Sequence, residues 1–135
     1  PTIGELVEST RRASGIEINL DQSWPCATCV GENIGVLHRI AQEALANAVR
    51  HAGATRIDVS LNCRDGATNL EVSDNGSGCS PGGSPTDTGG LGLRIMRHRA
   101  NAIGAELAIE DSPGGGTIVR CRAHCRSATC SAGQP

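Results

Sequence analysis

The chain has 135 residues, a formal net charge of -2, 38% hydrophobic and 19% charged residues. That suffices for one domain with a single core and argues against wholesale disorder. Phe and Tyr are absent, Trp24 is the sole aromatic residue, and no basic excess exists, which excludes a base-stacking nucleic-acid reader.

No apolar run approaches membrane-spanning length, and no signal peptide precedes the first predicted helix. A cytoplasmic domain without membrane contact of its own is expected. The start at Pro1 rather than Met suggests a piece of a longer protein.

Residues 2–13 read as a short helix with Ile3, Leu6 and Val7 on one side, stopped by Gly15. Ile16, Ile18 and Leu20 alternate with Glu17 and Asn19 as in a strand. Residues 21–31, with Pro, Cys and Gly, read as a loop. Residues 32–51 form the strongest predicted helix. Ile34, Leu37, Ala41, Ala44, Leu45 and Ala48 share a wide apolar face. Glu43, Asn47 and Arg50 fall within roughly 60° of each other on the opposite side, bordered by His51. Gly53 ends the helix.

Ile57, Val59 and Leu61 alternate with polar residues, Asp65-Gly66 turns the chain, and Leu70 and Val72 continue in a second strand. Residues 74–90 are rich in Gly, Pro, Ser and Asp and read as irregular. A helix is predicted from Leu91 to Ile103, then a strand marked by Leu107 and Ile109, and a last strand over 117–123. Residues 126–135 read as a frayed tail. The order α-β-α-β-β-loop-α-β-β with hairpins predicts an α+β sandwich, one mixed sheet with helices on one face.

The seven cysteines show no regular framework. Cys63 and Cys121 lie in strand-like runs and read as small core hydrophobes. Cys26, Cys29, Cys125, Cys130 and His124 offer zinc-type ligands, but half of a regular zinc pattern is missing. Free thiols, as a reducing cytoplasm would leave them, are the expectation.

Several constellations carry chemistry. On the helix, the Asn47 side-chain oxygen suits a hard cation such as Mg²⁺, Arg50 suits phosphate oxygens, and Glu43 suits general-base work. A solvated polar face is the bland alternative. Asp74-Asn75-Gly76-Ser77-Gly78 follows a strand. Its glycines allow close ligand approach, and its carboxylate can accept from an exocyclic amine; alone it could be a plain Asn-Gly turn. Gly89-Gly90-Leu91-Gly92-Leu93 precedes a helix, where free N–H groups attract phosphate. It is neither a Walker loop nor a Rossmann fingerprint. Gly114-Gly115-Gly116-Thr117 opens the last strand.

In this order and spacing, over residues 32–123, the motifs resemble the GHKL ATPase superfamily. Arg50-His51-Ala52 stands where gyrase-like, MutL-like and Hsp90-like members usually place an Asp. The run Arg39 to Ala52, the run Gly90 to Ala100, Gly104 and the segment 113–117 resemble sensor histidine kinases paired with NarL/LuxR-type response regulators.

The resemblance implies a Bergerat-type two-layer fold over residues 1–125, with 1–31 as connecting helix, strand and loop, binding Mg-ATP. It implies that Asn47 binds Mg²⁺ and Glu43 assists the attacking histidine. Arg50 and His51 would line the phosphate and ribose side, and Asp74 would read the adenine amine. Gly76 and Gly78 would make room for the base, while Gly90, Leu91, Gly92 and Leu93 would pass the phosphates. Thr117 would support Asp74.

Cys79 departs from the bulky apolar residue common there, and the 79–88 loop is short. The dimerisation and phosphoacceptor helices are not in this chain, so histidine autophosphorylation by the chain alone is not expected. Those helices and a response regulator are the implied partners. A free-standing anti-sigma factor with serine kinase activity is the alternative, disfavoured by the 90–94 and 114–117 segments.

Overall fold

The computed structural model describes residues 2–23, 27–50, 53–64, 66–76, 90–112 and 115–124, with side chains for all of these except 23–33 and 90–93. Eight elements follow in chain order among the described residues: α1 (Ile3–Ser14), β1 (Glu17–Ser23), α2 (Ala27–Arg50), β2 (Arg56–Arg64), β3 (Ala67–Asp74), α3 (Gly90–Ala102), β4 (Glu106–Asp111) and β5 (Thr117–His124).

Helix α1 is defined at both ends. The Thr2 hydroxyl accepts the Glu5 N–H at 3.0 Å and the Glu5 carboxylate accepts the Thr2 N–H at 2.8 Å. This reciprocal capping box satisfies donors the first turn leaves free. At the other end Gly15, at φ 72°, closes the helix through a bond to the Arg11 carbonyl, a conformation that a Cβ would disfavour. Ile3 and Val7 enter the core.

The structure moves two predicted boundaries. The loop expected over 21–31 loses both ends, because β1 continues to Ser23 and α2 begins at Ala27, while residues 24–26 lie outside the described residues. The irregular stretch expected over 74–90 loses both ends, since Asp74 closes β3 and Gly90 opens α3. Pairing with β2 extends β1, and α2 starts at Ala27 although Gly31 and Gly35 lower the local helix propensity.

The five strands form one mixed sheet in the order β1-β2-β3-β5-β4. Strands β1 and β2 are parallel, with α2 as the crossover between them; the other pairs are antiparallel. Inward side chains form rows across the sheet. Leu20, Val59, Val72, Val119 and Ile109 make one such row. All three helices contribute to a single core with these rows: Ile3 and Val7 from α1, Leu37, Ile40, Ala44 and Leu45 from α2, and Met96 and Ala100 from α3. The alternate residues Asp58, Ser60, Glu71 and Arg120 stay on the other sheet face. There Arg120 pairs with Glu71 at 3.0 Å and with Glu110. Exposed pairs of this kind contribute little stability. The α+β sandwich with helices on one face is the observed architecture.

Candidate functional site

The site begins with an exception to the inward pattern. Asp74 stands in register with Ile57, which itself stands opposite Ile18. Both isoleucines are buried, and Asp74 is only 8% exposed. A carboxylate in an apolar row is costly unless its oxygens are bonded. Asp74 Oδ1 accepts the Gly76 N–H at 2.8 Å, and the Thr117 backbone N–H also donates to this carboxylate. Burial pushes the Asp74 carboxyl above its ordinary range, and the Gly76 and Thr117 bonds pull against that. The result is a carboxylate held at a strand end on the helical side of the sheet.

Close main-chain approach defines the surroundings of Asp74. Gly116 has φ 102°, and a Cβ there would lie 1.8 Å from the Asp74 carbonyl oxygen. Gly115 stands near the Gly76 carbonyl. Thus Asp74, Gly76 and Thr117, singled out separately in the sequence, are brought together by the β3–β5 pairing.

Helix α2 supplies the second group. Glu43 and Asn47 are half-buried and Arg50 is exposed. Glu43 and Asn47 therefore run along the flank of the apolar face, next to buried Ile40, Ala44 and Ala48, rather than opposite it. Asn47 Oδ1 is buried and has no hydrogen-bond partner among the described residues. A buried amide oxygen without a donor is an exception in folded proteins and is available to an oxygen-seeking cation. Among the described residues no cluster of three or more His, Cys, Asp or Glu side chains could hold a metal.

Helix α3 packs beside α2. Gly90, Leu91, Gly92 and Leu93 occupy its first turn, where unpaired backbone N–H groups and the macrodipole favour an anion. His51, Gly78 and the 79–88 loop with Cys79 lie outside the described residues, as do Cys125, Cys130 and the 126–135 tail. So do the side chains of Cys26 and Cys29. A depression on the opposite sheet face is lined by Asn19, Asp21, Asp58, Ser60 and Glu71. Its acidic side chains oppose a polyphosphate there.

The family model for histidine kinase-, DNA gyrase B- and HSP90-like ATPases matches residues 32–127. The chain belongs to that family. It is 38% identical over 106 residues to the sensor histidine kinase MctS of Rhizobium johnstonii, covering 78% of this chain and 23% of MctS. It is 33% identical over 117 residues to the nitrate/nitrite sensor protein NarQ of Escherichia coli, covering 85% of this chain and 20% of NarQ. The fold is similar to that of full-length ShkA in complex with AMPPNP, with TM-score 0.70 and 27% identity over 93% of this chain and 29% of ShkA. The chain thus spans about a fifth of the length of these curated relatives. It is an ATPase domain of the sensor-histidine-kinase type.

Sequence reasoning overlooked one residue of this ATPase domain. Asn75 reads as the first half of an Asn-Gly turn, yet its side chain bonds to Thr55 and Arg56 at the start of β2. No local signal announces a partner 20 residues away.

Proposed function

We propose that the chain binds Mg-ATP and supplies the γ-phosphate to a histidine on dimerisation helices of its parent kinase, for onward transfer to a response regulator. The observation that carries this reading is the buried, hydrogen-bonded Asp74 carboxylate at the end of β3. A carboxylate accepts but does not donate, which matches an exocyclic amine such as that of adenine. The known complex of the similar ShkA with AMPPNP supports the same reading.

The remaining roles are those that the family resemblance implies for these positions. Gly76 and Gly78 are assigned to making room for the base, and Arg50 and His51 to the ribose and phosphates. The start of α3 at Gly90 to Leu93 would receive the phosphates. Asn47 would hold magnesium through its unpartnered Oδ1. Bound magnesium would neutralise part of the triphosphate charge. Glu43, four positions before Asn47 on the same helix flank, accepts the proton of the attacking imidazole or fixes its tautomer. Thr117 keeps the Asp74 carboxylate aimed through its backbone N–H. Among the described residues no helix is long and apolar enough to cross a membrane, and the reading places this domain in the cytoplasm.

Calorimetric titration of the chain with Mg-ATP tests the binding half of this reading. Binding is expected for the wild type, with an affinity loss of roughly tenfold or more in Asp74→Asn, the size of a lost charged hydrogen bond. Equal affinity in the variant would overturn the adenine assignment.

A further inference from the structure

We propose that Asn75 is a positioning residue for base selection, acting through Asp74. The proposal rests on the nucleotide reading above. The Asn75 Oδ1 accepts the backbone N–H of Thr55 at 2.9 Å and that of Arg56 at 3.0 Å. Its Nδ2 donates to Thr55 Oγ1 at 3.0 Å. Its own backbone N–H donates to the Arg56 carbonyl at 3.2 Å. Only the oxygen end of the amide can accept two N–H groups, so this set of partners fixes the side chain in one orientation.

The bonds lie where the sheet stops helping. The β2–β3 ladder ends at the Ile57–Asp74 pair, and the chain must then turn at Gly76. Asn75 extends the attachment one step further, onto Thr55 and Arg56. Those residues follow Ala54, which is buried in the core. On its other side the Asp74–Asn75 peptide meets Gly116. The residue after Asp74 is therefore anchored to β2 while Asp74 itself is backed by β5. Together these contacts leave the Asp74 side chain little freedom to shift relative to the incoming base.

Removing the Asn75 amide leaves the N–H groups of Thr55 and Arg56 without this acceptor and frees the turn after Asp74. The hydrogen bond that an exocyclic amine donates to Asp74 then lengthens. Asn47 and Arg50 sit on α2 and do not depend on Asn75, so phosphate binding is retained. The deficit falls on base selection rather than on binding in general.

The test compares ATP with inosine triphosphate, which has a carbonyl in place of the amine, by calorimetry on the 135-residue chain. The wild type is expected to prefer ATP. Asn75→Ala is expected to lower ATP affinity about fivefold to tenfold and inosine triphosphate affinity less than about twofold. Asn75→Asp keeps an acceptor for both N–H groups, and the Thr55 hydroxyl can turn to donate. It is expected to restore the preference to within about twofold of wild type. If Asn75→Ala does not fold, Asn75→Ser, too short to span both donors, carries the same expectation.

A variant that melts earlier but keeps the wild-type preference would reduce Asn75 to a structural role and overturn the proposal. So would an Asn75→Asp chain that fails to recover the preference. A wild-type chain that binds neither triphosphate would overturn the nucleotide reading together with the proposal.

Discussion

Gly116 lies so close to Asp74 that a Cβ on the glycine would sit 1.8 Å from the Asp74 carbonyl oxygen and 2.7 Å from its carbonyl carbon. Both obstacles are main chain and cannot swing aside. Gly115 has a similar φ of 99° but finds only the Gly76 carbonyl at 4.0 Å. The pair separates two costs of a side chain. Gly115→Ala is expected to cost about 1–3 kcal/mol through its positive φ alone. Gly116→Ala adds the collision and is expected to cost more and to weaken ATP binding. Thermal melts and titrations of the two variants check this. Equal losses would mean that the close approach has no consequence.

Asp74 is expected to trade stability for function. Its folded carboxyl is raised above the ordinary value of 3.8, chiefly by burial. A raised acid holds its proton more tightly when folded. Its ionisation therefore costs stability in full above the folded pKa, and that cost vanishes below the unfolded value. Asp74→Asn should melt higher than wild type at pH 7 while binding ATP more weakly. The stability difference should shrink as pH falls through the raised pKa towards 3.8. ATP affinity of the wild type should fall through the same window, because the neutral acid loses acceptor capacity. A variant less stable than wild type at neutral pH would contradict the desolvation argument.

Glu43 and Asn47 are expected to fail differently. Asn47→Ala removes the unpartnered oxygen and should abolish the advantage of magnesium in ATP binding. Glu43→Gln should leave binding largely intact and slow histidine phosphorylation by roughly 10²–10⁴-fold, the usual size of a general-base contribution. The second measurement needs the domain joined to its dimerisation helices, in single turnover. If Glu43→Gln loses ATP binding and keeps its transfer rate per bound ATP, the role assigned to Glu43 is wrong.

Met96 is fully buried where α3 joins the core. Met96→Ala is expected to cost about 2–5 kcal/mol, and Met96→Leu less than about 1.5 kcal/mol, since it conserves volume. Chemical denaturation curves measure both. A near-neutral alanine variant would show that α3 is not held by this contact.

The buried thiols are expected to be inert in the folded chain. Cys63 and Cys121 are each at most 2% exposed, and burial pushes the Cys121 thiol up to about 11. Thiolate is the reactive form, so neither should be alkylated at pH 8 until the chain is unfolded. Mass spectrometry of native chain treated with iodoacetamide decides this. Rapid labelling of Cys121 would refute the packing described.

Much of this domain is determined locally and could be read from the amino-acid sequence. The apolar arc of α2, from Leu37 to Ala48, and the alternation of Ile57, Val59 and Leu61 are periodic signals carried by neighbouring residues. So is the placement of Glu43 and Asn47 on one side of a helix, and of glycines at its α3 counterpart. The order of these motifs also identified the family. What remained open was decided by partners distant in sequence. The parallel pairing of β1 with β2 sets the length of β1. Register across β2 and β3 places Asp74 in the row of Ile18 and Ile57. The bonds of Asn75 to Thr55 and the approach of Gly116 to Asp74 exist only once three strands are assembled. No local pattern encodes them, because each depends on which strand lies beside which and in what register, and a shift of one residue turns every side chain to the other face.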